Sequence, residues 1–207
     1  MIPVLSYLTL GGKCRHCKGK ISPYYPLVEL ITGVLFVLVF SFFKPAFDIY
    51  HLSFIIYYFF IVSSLIVVFF IDLKYGVIPD KIVFPTIILS VFYLAVGSSG
   101  ILSYLFSALG AFLFFLVLLT VTSGKGMGWG DVKYSFLMGL ILGFPNIVIG
   151  LYLAFLTGAI VSIILILWKK KKLRGSTIPF GPFLVTGTIL SLFYSEFFLN
   201  LLGLKIF

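Results

Sequence analysis

Charge is scarce in this 207-residue chain: acidic residues number 6, basic residues 15, and only 10% of positions are charged. A soluble domain of this size carries charge at about a quarter of its positions, so water is excluded as the main solvent. Cysteine and histidine number 2 each. A closed structural zinc site normally wants four such ligands. Cys14 and Cys17, spaced C-x-x-C, supply half of one, with His16 between them and His51 a whole apolar span away. No βαβ pattern surrounds the pair, so the usual setting of a redox C-x-x-C is missing too. Nucleotide-binding loops are also lacking. Trp129 and Asp131 stand where G-x-G-x-x-G requires glycine, and no G-K-[ST] follows. The opening MIPVLSYLTL has neither a basic start nor a small-residue cleavage site, and is not read as a signal peptide.

Apolar residues are plentiful instead: 61% of the chain is hydrophobic, 19% is aromatic, and the mean hydropathy is +1.23. A membrane-crossing helix needs about 20 apolar residues. Residues 52–71, 82–100, 101–122 and 146–168 carry no charge, while 26–43 carry Glu29 alone and 183–204 carry Glu196 alone. A shorter helix is predicted over 132–143, ended by GFPN from Gly143 to Asn146. The expected fold is an all-α, polytopic membrane helix bundle of six to seven crossings, since helices satisfy their own backbone in lipid. Residues 1–25 are read as a basic segment carrying the C-x-x-C, and 26–207 as one membrane-embedded domain.

Counting seven crossings puts Lys13, Arg15, Lys18, Lys20, Lys74, Lys81, Lys125, Lys133, Lys169 to Lys172 and Arg174 on one side, against Lys44 and Lys205 on the other. Basic loops stay inside, so the N-terminus is expected in the cytoplasm. Without the short crossing, the KKKKLR run would fall outside. Contact with anionic lipid accounts for the net charge of +9, and no nucleic acid partner is implied.

Three of the acids fall in two loops on that basic side. Asp72 and Asp80 belong to FIDLKYGVIPD (70–80), and Asp131 to GMGWGDVKYS (126–135). Asp72 follows directly on an apolar run and Asp131 directly precedes one, so both are expected at one membrane face. Two carboxylates that meet share a proton, and the pair can then activate water and polarise a carbonyl. The fields of the helix ends would favour the ionised form at Asp131 and the protonated form at Asp72. Plainer readings stand beside this one: Asp80 or Asp131 as helix N-caps, or either as a solvated loop acid. Gly126, Gly128 and Gly130 alternate ahead of Asp131, which permits close backbone approach or positive φ and suggests a hinge. Lys133 can pair with an acid, meet a substrate or snorkel to the interface. Glu29, near the basic-side edge of its span, is a supporting-site candidate, its alternative being a buried hydrogen-bond partner; Glu196 is assigned the latter.

Four blocks in order carry a resemblance: IPVLSYLTLGGKCRHCKGKISPYYPLVEL (2–30), FIDLKYGVIPD (70–80), GWGDVK (128–133) and IPFGPFL (178–184). Together they resemble the prepilin peptidases of type IV pilus and type II secretion systems, membrane aspartic proteases with a GxGD motif. The resemblance implies Asp72 and Asp131 as the catalytic pair, Gly128, Gly130 and Lys133 beside it, and no catalytic part for Asp80. It implies cleavage of the basic leader of a prepilin or pseudopilin at the cytoplasmic face of the cell inner membrane. Many members carry another helix and a second C-x-x-C upstream, and also N-methylate the new terminus. For this chain the expectation is a peptidase without cofactor, metal or assigned N-methyltransferase activity. The alternative from the residues alone is a polytopic ion or solute transporter component using the loop carboxylates. A catalytically silent assembly scaffold is a further one.

Overall fold

The computed structural model describes residues 3–43, 49–97, 100–124, 126–168 and 178–201, with only the backbone at 3 and 49–51. Lys44, Lys125, Lys169 to Lys172, Arg174 and Lys205 of the charge count lie outside the described residues, as does the His51 side chain. The described residues form eight helices: α1 (Pro3–Thr9), α2 (Tyr24–Phe43), α3 (Ile49–Tyr75), α4 (Asp80–Gly97), α5 (Ile101–Val121), α6 (Trp129–Leu142), α7 (Asn146–Leu167) and α8 (Gly181–Leu201). Six are long and apolar enough to cross a membrane: α2, α3 from Leu52, α4, α5, α7 and α8. The all-helical membrane bundle expected from hydropathy is what forms.

By their contacts the residues divide into two compact units, Met1–Ile66 and Val67–Phe207. In the first, α1 packs on α2. Aromatic stacking supports this unit, with Phe36 and Phe59 centroids 4.5 Å apart and Phe43 and Tyr58 4.6 Å apart.

The second unit is built around α6, which packs against α4, α5, α7 and α8. Ten of its 14 residues are buried, which explains why it lacks an amphipathic pattern: beyond its first turns almost nothing faces outward. At about 1.5 Å per residue it is roughly 21 Å long, short of the roughly 30 Å hydrocarbon core. Its packing uses the membrane-protein devices of small residues and interhelical hydrogen bonds. A Cβ on Gly139 would fall on the Cα of Ala108 in α5. Tyr134 and Thr188 share a buried hydroxyl contact of 2.9 Å that ties α6 to α8. Between α7 and α8, a Cβ on Gly187 would meet the carbonyl oxygen of Gly150. Gly143, at φ +64, ends α6 as the GFPN signal predicts, its N–H bonding to the Gly139 carbonyl at 2.9 Å.

Candidate active site

Three chain segments of the second unit converge on one cavity of about 860 Å³. The first is the turn from α3 to α4. Gly76 adopts φ +67 and donates its N–H to the Asp72 carbonyl at 2.8 Å, which closes α3 with a left-handed residue that glycine adopts freely. Asp72 therefore lies in the last turn of α3, at the helix C-terminus where the sequence reading puts it. Val77, Ile78 and Pro79 then cross the cavity wall to Asp80.

The second segment leads into α6. Gly124 takes φ +70, whereas Gly126, Gly128 and Gly130 all avoid positive φ. Of the two reasons for the alternating glycines, close approach applies at Gly130, where a Cβ would stand 2.9 Å from the Cβ of Ile78. At Gly126 and Gly128 an added Cβ would make only ordinary contacts. The N-cap of α6 is Gly128, so Asp131 is the third helical residue and not a cap itself. Its Oδ2 reaches back to accept the Gly128 N–H at 2.9 Å, the carboxylate half of a capping box.

The third segment, Ile178 to Phe180, lines the cavity and opens α8 at Gly181. The Phe180 carbonyl accepts the Phe183 and Leu184 N–H groups at 3.0 and 3.2 Å.

Asp72 and Asp131 both line this cavity and are both buried, 4% and 8% exposed. Among the described residues, Asp72 Oδ2 is the one buried side-chain nitrogen or oxygen atom without a hydrogen-bond partner. Such an atom is costly, and a catalytic role is one of the reasons a fold retains it. Asp131 stands in the first turn of α6, ahead of 132–143 and outside the six long spans. Burial pushes its pKa up to about 6; the Gly128 N–H opposes this, and the neighbouring Asp72 charge adds to it. The helix-end field invoked to keep Asp131 ionised is thus outweighed by desolvation.

The other candidates divide. Lys133 donates to both carboxylate oxygens of Asp80 at 2.9 and 2.8 Å, an exposed fork that ties α6 to the start of α4. The N-cap reading of Asp80 is corrected: its carboxyl is committed to Lys133, while the Pro79 carbonyl accepts the Ile82 and Val83 N–H groups. Glu29 and Glu196 are exposed on α2 and α8, so neither is the buried hydrogen-bond partner that the sequence alternative describes. Cys14 and Cys17 are free thiols in a tight turn where Lys18 has φ +56 and the Cys14 N–H bonds to the Gly19 carbonyl at 2.8 Å. The N–H groups of Cys17 and His16, together with the Cys17 side chain, hold the Cys14 thiol below its ordinary pKa. Among the described residues no group of three or more His, Cys, Asp or Glu is placed to hold a metal.

Two contacts have no counterpart in the sequence reading: Ile78 against Gly130, and Gly181 against Asp72. The IPFGPFL block is visible as a motif, but nothing in its residue types announces that it meets an acid in another helix.

Comparison with known proteins decides the family. Residues 59–163 match the type IV leader peptidase family, and residues 1–43 match the bacterial peptidase A24 N-terminal domain. The chain belongs to the type IV leader peptidase family. A prepilin leader peptidase/N-methyltransferase of Aeromonas hydrophila is 33% identical over 202 residues, covering 94% of this chain and 67% of that protein. One from Burkholderia pseudomallei (strain K96243) is 30% identical over 207 residues, covering 98% and 65%. One from Bacillus subtilis (strain 168) is 29% identical over 197 residues, covering 95% and 76%. The chain thus spans about two thirds of the length of the first two relatives. No solved structure matches it.

Proposed function

We propose that this member of the leader peptidase family is an aspartic endopeptidase that removes the leader from type IV prepilin or pseudopilin substrates, with Asp72 and Asp131 as its catalytic pair. The observation that carries this reading is the placement of two buried carboxyls on one open cavity, one with an unsatisfied oxygen. Near neutral pH a carboxyl of pKa about 6 is mostly ionised, which suits Asp131 to accept a proton from water. As that water oxygen bonds to the scissile carbonyl carbon, the protonated partner gives its proton to the carbonyl oxygen. Collapse of the resulting diol breaks the C–N bond, and the pair returns a proton to the departing amine. No covalent intermediate is required.

Gly130 lets the α6 turn close on Ile78, and Lys133, through Asp80, fixes that turn against α4. Cleavage at the cytoplasmic face of the inner membrane is part of this reading; it is supported by Lys81 and Lys133 at the cavity, both of which the sequence count assigns to the basic side. Glu29 remains a supporting candidate without an assigned contact. N-methylation, part of the printed names of the relatives, is not assigned to the residues of this cavity. An ion-transporting role is not favoured, since Asp72, Asp80 and Asp131 gather at one cavity in a chain of the peptidase family.

The test is leader cleavage of a prepilin by the purified chain beside Asp72→Asn and Asp131→Asn. Cleavage by the parent, and a loss of at least about 1,000-fold in either variant, is expected for residues that act as one unit. Full activity in either variant removes that residue from the mechanism.

A further inference from the structure

Gly181 is the first residue of α8, and it is not among the glycines with positive φ. Backbone conformation therefore does not demand glycine there. Space does. A Cβ built at 181 would fall on Oδ2 of Asp72, 2.9 Å from its Cγ and 3.1 Å from Cδ1 of Ile78. N–H groups in the first turn of a helix have no partner within it, and they sit at the positive end of the helix dipole, so they suit a carboxylate.

We propose that Gly181 is the positioning residue for Asp72: its missing side chain leaves the room that Oδ2 occupies, so that the start of α8 sets where the carboxyl lies. This rests on the reading of Asp72 as a catalytic acid. The surrounding residues fit the task. Pro182 follows directly, and its fixed φ suits a first helical turn. Further along α8, Thr188 is hydrogen-bonded to Tyr134 of α6, the helix that carries Asp131. The helix start that leaves room for one aspartate is thereby anchored to the helix that bears the other. Ile78 is wedged between Gly130 and Gly181, filling the remaining gap between the two helix starts.

The experiment measures kcat and KM for a synthetic prepilin leader peptide with the purified full chain, Gly181→Ala, and Gly110→Ala as a control. Gly110 has open space where its Cβ would go. A misplaced reacting group costs on the order of 100-fold, so kcat of Gly181→Ala is expected to fall by about that factor while KM changes by less than about threefold. Gly110→Ala is expected to match the parent. An unchanged kcat in Gly181→Ala overturns the proposal, as does a loss confined to KM.

Ile78→Ala added to Gly181→Ala separates the two overlaps: recovery of kcat would assign the defect to Ile78 and overturn the role toward Asp72. Thermal unfolding supplies a readout independent of cleavage. The melting penalty of Gly181→Ala is expected to disappear in an Asp72→Ala background, and its persistence there overturns the contact. Full cleavage by Asp72→Asn instead overturns the peptidase reading of Asp72, and the vanishing melting penalty then supports the contact alone.

Discussion

At Asp131, burial and hydrogen bonding pull in opposite directions, and burial wins. The Gly128 N–H stabilises the carboxylate, yet the group rises from an ordinary 3.8 to about 6. Between those values the unfolded chain has released the proton while the folded chain keeps it, so stability falls as pH rises through the window and then levels off. Asparagine at 131 keeps an oxygen for the Gly128 N–H and carries no charge to bury. Asp131→Asn is therefore expected to melt above the parent at pH 8, with the advantage shrinking toward zero at pH 4, as thermal unfolding in detergent would record. A variant that melts below the parent at pH 8 contradicts a desolvated acid. Sites kept costly for chemistry show this exchange of stability for function. Asp72 and Asp131 are legible in the sequence because they are acids at the edges of charge-free runs, where an unneeded charge is expensive. Gly181 is not legible in the same way, because its reason is a neighbour from another helix, and residue type alone does not name neighbours.

At the scale of elements, hydropathy locates the helices to within a few residues, since each long span is set by its own composition. The end of α6 is legible too, because GFPN contains its stop signal locally. What composition does not give is which helix stands at the centre. α6 has the least room for a side chain at Gly139, where it meets the backbone of Ala108. That closeness is what lets a 14-residue helix sit among longer ones with Asp131 at its open end. Gly139→Val is expected to force α5 and α6 apart, at a cost of about 1–3 kcal/mol of stability typical of overpacked cores. Unfolding in detergent would measure the cost, and leader cleavage should fall with it because Asp131 moves with α6. A Gly139→Val variant as stable and active as the parent would show that the α5–α6 approach is slack.

For the molecule as a whole, orientation depends on whether α6 counts as a crossing. Its roughly 21 Å is short for a bilayer, but it is sheathed by four longer helices and need not meet lipid along its length. The sequence argues for a crossing through charge parity: thirteen basic residues fall on one side and two on the other only if α6 passes through. Lys81 and Phe144 report on this directly. Lys81 is exposed at the cavity, beside Asp80, whose partner Lys133 lies at the start of α6; Phe144 is 59% exposed just past its end. In a background with Cys14 and Cys17 changed to Ser, single cysteines at 81 and 144 can be labelled in intact cells with a membrane-impermeant maleimide. Residue 144 is expected to react from outside and residue 81 only in inverted membranes. Labelling of both only in inverted membranes would make α6 a re-entrant helix, and would place the KKKKLR run on the outer side. Residue 81 reactive from outside would turn the cavity away from the cytoplasm, and the proposed site of leader cleavage with it.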